Sequence, residues 1–221
     1  MTRTGAAARP DLEERAQDFM EWAELHSRHL TIAAAAVVVI AGGIWFYAKS
    51  REARAANASA ALVEAEQAVE AGNMPLAQND LQRLVGRYGG TTAGRQGQLL
   101  LGKVMFERGQ YQGGIAELQK LADEKDEFTQ AQAYDLIGAG YEQQQKFVEA
   151  AAAYRQAAAS ARFPQDRDGY LANAARALAA GGKTADAIEI WKKIADDPTS
   201  PASAEAKVRL GELEAKAVTR G

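Results

Sequence analysis

The sequence predicts an all-α protein: one N-terminal transmembrane helix, then an α-solenoid of three to four helical hairpins and a capping helix. Three observations carry the prediction. A small residue recurs at Ala65, Gly102, Gly138, Ala175 and Gly211, at spacings of 36 or 37 residues, a period typical of stacked helical hairpins. Residues 30–48 carry no charge. No run of alternating apolar and polar residues bounded by turn signals marks a strand.

Composition narrows the classes. A chain of 221 residues, 25% charged and 47% hydrophobic, can fold one domain of moderate size beside an anchor. The net charge of −3 is spread evenly: residues 1–29 hold four arginines against six acids, and residues 49–221 hold 22 basic against 23 acidic side chains. No segment has the basic excess of a nucleic-acid footprint. The absence of cysteine excludes disulfides, thiolate zinc sites and a lipid-modified N-terminal cysteine.

The N-terminal tail, residues 1–29, contains a stretch that forms an amphipathic juxtamembrane helix over residues 11–29. Leu12, Ala16, Phe19, Trp22 and Ala23 fall at helical spacing, and Pro10-Asp11 suits a helix start. It either lies on the bilayer or a partner, or extends the membrane helix. His26 and His29 sit three apart, but no third histidine or cysteine completes a metal site.

The expected span, residues 30–48, reads LTIAAAAVVVIAGGIWFYA. As a helix it rises about 28 Å, close to a bilayer's hydrocarbon thickness, and so makes membrane lipid a partner. Trp45, Phe46 and Tyr47 cluster at its end, where aromatic rings favour the headgroup level. A core helix of a solenoid would be interrupted by polar residues. A cleaved signal peptide would be shorter, nearer the start and followed closely by a small-x-small triplet. Flanking charge leaves the orientation open: Arg9, Arg15 and Arg28 precede the span, and Lys49, Arg51 and Arg54 follow it. Residues 49–57 are a linker or a helical extension, and the repeat domain occupies residues 58–217.

Within that domain the units align. Leu101-Gly102, Ile137-Gly138 and Ala174-Ala175 place an apolar residue before a small one. Gly109, Gln145 and Gly182 follow at the turn, then Gly114, Ala150 and Ala187, then Leu118, Tyr154 and Trp191. Where two helices cross closely, one side must be Gly or Ala, and the bulky residue four positions on fills the splay. Gly109 and Gly182 supply the left-handed conformation that ends a first helix. Pro75, Pro164, Pro198 and Pro201 all fall at predicted helix boundaries. Residues 204–216 supply a first helix without a second, which reads as a cap.

This pattern resembles the tetratricopeptide repeat. Tyr134, Ile137, Gly138, Tyr141, Ala150, Tyr154 and Ala157 match that family's positions in the third unit, allowing Ile for Leu. The first unit keeps only Ala65, Gly72, Ala77, Leu81 and Leu84 and is degenerate. The family resemblance implies a concave surface lined by the first helix of each pair, where protein partners dock. Outward positions in this register are Leu62, Glu66, Val69, Leu99, Lys103, Phe106, Asp135, Glu142 and Arg176. Leu99 and Phe106 are the foremost contact candidates unless a neighbouring hairpin covers them.

No catalytic constellation emerges. No histidine follows His29, and the carboxylates stand at helix-surface spacing, as solubility and i,i+4 pairing require. Residues 86–97 hold five glycines without a Gly-Lys-Ser/Thr end. Gly181-Gly182-Lys183-Thr184 imitates that end, but lacks the preceding strand and falls at a hairpin turn. The reading is therefore a non-enzymatic adaptor with no cofactor, no metal, no nucleic acid and no small-molecule substrate. The whole layout resembles the ancillary Sec translocon subunit of bacteria. That resemblance implies a bacterial inner-membrane protein with a cytoplasmic N-terminus and periplasmic repeats, contacting the translocon and a membrane-anchored periplasmic chaperone during hand-over of emerging proteins. The alternative is a structural scaffold for a cell-envelope assembly or cell-division complex.

Overall fold

The computed structural model describes residues 19–22, 25–124 and 126–218, without the side chains of Leu30, Ala33, Ala34 and residues 216–218. Its helices are α1 (Ser27–Glu70), α2 (Met74–Tyr88), α3 (Thr92–Glu107), α4 (Tyr111–Ala122), α5 (Glu127–Gln143), α6 (Phe147–Ser160), α7 (Pro164–Ala180), α8 (Thr184–Ala195) and α9 (Ser203–Val218). The described residues contain no strand. The chain divides into two compact units, Met1–Ala53 and Arg54–Gly221.

In the first unit, residues 11–18, 23 and 24 of the expected amphipathic helix lie outside the described residues. Residues 19–22 are helical, and the rings of Phe19 and Trp22 stack at 6.1 Å while Trp22 and His26 stack at 5.0 Å. Among the described residues no helix is long and apolar enough to cross a membrane. Residues 49–57 are helical.

The second unit is a run of antiparallel hairpins whose turns share one construction. Gly72, Gly109, Gln145 and Gly182 all have positive φ, at 71°, 73°, 59° and 76°. The next amide in each case reaches back to the carbonyl five residues earlier: Asn73 to Ala68 at 2.9 Å, Gln110 to Met105 at 2.8 Å, Lys146 to Tyr141 at 2.9 Å and Lys183 to Leu178 at 2.8 Å. These are Schellman closures, which satisfy carbonyls that a helix end leaves unpaired. Gly181-Gly182-Lys183 thus forms the turn between α7 and α8, Thr184 opens α8, and Gly86, Gly94 and Gly97 lie inside helices. Glutamines tie a second helix to the turn of the following hairpin, Gln78 Nε2 of α2 donating to Gln110 Oε1 at 3.0 Å and Gln112 Nε2 of α4 to Gln144 Oε1 at 2.8 Å.

Helix starts are equally local. Asn73 Oδ1 accepts the Leu76 amide at 3.2 Å ahead of Pro75, and Thr91 Oγ1 accepts the Gly94 amide at 3.0 Å. Pro164 occupies the first turn of α7.

Close helix crossings explain the period. A Cβ added at Gly102 would meet Leu118 at 2.6 Å, and one at Gly138 would meet Tyr154 at 2.6 Å. At these two crossings the small residue of the first helix receives the bulky residue of its own second helix. Three apolar clusters follow one another along the array. Ala58, Leu62, Ala65 and Ala68 share the first with Ala77, Leu81 and Leu84. Phe106, Leu118, Leu121 and Ile137 build the second, and Tyr154, Leu178, Trp191 and Ile194 the third.

Two expected surface positions are core positions instead. Phe106 is 4% exposed, its ring filling the space that Gly114 and Gly140 leave open, within 2.6 Å and 2.5 Å of where their Cβ atoms would stand. Leu62 is likewise buried, in the first cluster beside Leu81 and Leu84. The neighbouring helices cover both, so neither side chain is available to a partner.

Candidate functional site

First helices at the array's inner register bring four of the predicted positions together. Glu66 from α1, Leu99 and Lys103 from α3, and Asp135 from α5 line one groove of about 390 Å³. Gln96, Leu100, Gln132, Leu136 and Tyr170 complete its lining. Leu99, Leu100 and Leu136 are half-buried, while Glu66, Gln96 and Lys103 are exposed. The floor is therefore apolar and the walls polar, a common composition for a binding cleft.

Polar links run from the groove towards the last helices. Asn173 Nδ2 donates to Asp135 Oδ1 at 3.0 Å, and Arg176 Nη2 donates to Asn173 Oδ1 at 2.5 Å. Arg176 Nη1 also donates to Glu205 Oε1 at 2.5 Å, which Arg209 Nε approaches at 3.8 Å. The predicted Arg176 is thus occupied by α9 rather than directed into the groove. Glu142 is occupied too, accepting the Tyr154 hydroxyl at 2.7 Å.

Burial dominates the electrostatics. It raises the pKa of Asp135, against the bond from Asn173 and the attraction of Lys103, with Glu142 adding to the rise. The Tyr154 phenol is held neutral well beyond its ordinary range, first by burial and then by its bond to Glu142. Burial, Asp135 and Asp166 together raise Tyr170. Among the described residues no group of three or more His, Cys, Asp or Glu could hold a metal ion.

The sequence reading missed Gln96, Leu100, Gln132, Leu136, Tyr170 and Asn173. A usable signal existed for four of them. The spacing of 36 residues that relates Leu99 to Asp135 also relates Gln96 to Gln132 and Leu100 to Leu136. Tyr170 and Asn173 enter through contacts between repeats, for which no local pattern stands.

The family model described as a tetratricopeptide repeat-like domain matches residues 21–133, more than half of the chain. The chain belongs to this tetratricopeptide repeat-like family. No curated protein matches the sequence. Among the solved structures that match in fold are nearly identical TPR-like repeats of a protein described as a putative kinesin light chain from Podospora anserina, and a Q17M form of it. Both have a TM-score of 0.56 and 16% identity and cover 73% of this chain, with 87% and 86% of their own chains covered. At that identity the likeness establishes the α-solenoid. Tetratricopeptide arrays are protein-interaction scaffolds and ordinarily not catalysts, and the mixed apolar and polar groove fits that use.

Proposed function

We propose that the protein is a membrane-tethered, non-enzymatic adaptor whose tetratricopeptide array receives protein partners in the groove between Glu66 and Tyr170. The observation that carries the tether is the helix surface ahead of the array. Ile32, Val37, Val38, Val39, Ile40, Ile44, Trp45, Phe46 and Tyr47 are each at least 61% exposed. Four consecutive residues of a helix point to all sides, so residues 37–40 leave no polar face, and burial of this stretch in lipid would remove the cost of wetting it. The uncharged run of residues 30–48 has the length such burial needs. The family match begins at residue 21, so the run and the first hairpins match as one unit.

The finer reading places the protein in the bacterial inner membrane, N-terminus cytoplasmic and array periplasmic, next to the Sec translocon. There it helps pass emerging proteins to a membrane-anchored periplasmic chaperone. Its support is the order of tail, apolar helix and array. Carbonate washing of membranes, then protease treatment of intact spheroplasts, tests the placement: the protein stays in the pellet and the array is cut. Release by carbonate, or a protected array, would overturn it. Co-purification in mild detergent tests the partner. Translocon subunits are the expected yield, whereas cell-wall or outer-membrane machinery in their place would favour a scaffold.

A further inference from the structure

The groove's side chains differ in how far their bonding capacity is used, and that difference describes an occupant. Asp135 has one carboxylate oxygen held by Asn173, while Oδ2 has no hydrogen bond or ion pair among the described residues, and burial penalises its charge. Glu66 and Lys103 line the same groove and enter no ion pair among the described residues. Two carboxylates thus face one ammonium. Arg176, which bonds the same Asn173 that holds Asp135, is already spent on Asn173 and Glu205. A cation entering the groove would compensate the half-buried Asp135, whereas an added anion would meet two like charges.

Shape and hydrogen-bonding capacity point the same way. Leu99, Leu100 and Leu136 form an apolar floor between the amides of Gln96 and Gln132 and the phenol of Tyr170. A carboxamide both donates and accepts, which suits the unpaired amides and carbonyls of an extended chain; a helix would have consumed its own. A volume of about 390 Å³ accommodates a few side chains.

We propose that this groove binds an extended protein segment in which a basic side chain adjoins a large apolar one. The apolar group rests on Leu99, Leu100 and Leu136, and the cation pairs with Asp135 and Glu66. This deepens the adaptor reading and rests on it.

The test uses the full chain in detergent micelles and three fluorescein-labelled, end-blocked nonapeptides followed by anisotropy. They are Gly-Ser-Gly-Lys-Leu-Lys-Gly-Ser-Gly and its variants with both lysines replaced by Glu or by Gln. The lysine peptide is expected to bind best, about tenfold more tightly than the Glu form, as loss of a charge-assisted bond implies. D135N is expected to weaken the lysine peptide about tenfold and to leave the Gln peptide unchanged; Leu99→Ala weakens both. Because Asn keeps an acceptor for Asn173, a fold-preserving result by circular dichroism is expected for D135N. A preference for the Glu peptide, an unchanged lysine peptide on D135N, or no binding of any peptide overturns the proposal. Translocon co-purification in spite of such a result would leave the adaptor reading standing and remove only this occupant.

Discussion

Gly138 and Gly211 hold the same place in the repeat but meet different surroundings. A Cβ at Gly138 would stand 2.6 Å from the Tyr154 ring, whereas nothing lies within 4 Å of one at Gly211. Gly138→Ala is therefore expected to destabilise by about 1–3 kcal/mol through overpacking. Gly211→Ala is expected to stabilise by about 0.5–1 kcal/mol, because alanine is the better helix former. Urea unfolding of the two variants checks both signs. Asp135 carries a prediction about pH. Its folded-state pKa is raised, chiefly by burial, so the folded chain holds this proton more tightly than the unfolded one. Its contribution is then most favourable below the ordinary carboxylate range and is lost as pH rises through the raised value. Unfolding measured between about pH 3 and pH 7 should show the stability of Asp135→Asn gaining on that of the natural protein as pH rises. Equal pH profiles would refute the assignment.

The helices show how far local chemistry reaches. Pro75 and Pro164 at helix starts, and Gly72, Gly109 and Gly182 at positive φ, are legible because a proline or glycine states its backbone requirement without reference to neighbours. Gln145 is not legible that way. It adopts φ 59° because the hairpin closes in the same Schellman geometry as its siblings, and the array imposes a conformation its residue type does not favour. Thr91 joins two elements, donating to the Tyr88 carbonyl at 2.8 Å and accepting the Gly94 amide at 3.0 Å. Thr91→Ala should cost about 1 kcal/mol, read as a lower thermal midpoint with unchanged helix content. No loss would mean that the α2–α3 connection is held by other contacts.

At the scale of the molecule, the array unit depends on its last helix to close the apolar series. Ala206, Leu210 and Leu213 of α9 pack on the cluster that holds Trp191 and Ile194. The opposite face of α9 is exposed at Lys207, Gly211 and Glu214, as a terminal cap requires. Truncation before Ser203 should uncover Trp191, lower stability by about 3 kcal/mol and raise binding of a hydrophobic dye. A truncated chain as stable as the full one would remove the capping role. The sequence by itself determined the α-solenoid, its period, its turns and the order of small and bulky residues within each hairpin. Those features arise within one hairpin, from residues whose demands are steric and short-range. Only the tertiary structure decided which inward positions are available. Phe106 is withdrawn by the missing side chain of Gly140 in the following repeat. Asp135 is tied by Asn173, 38 residues away, and Arg176 by Glu205. Exposure at such positions is set by what the next repeat lacks or supplies, and that depends on packing across the period.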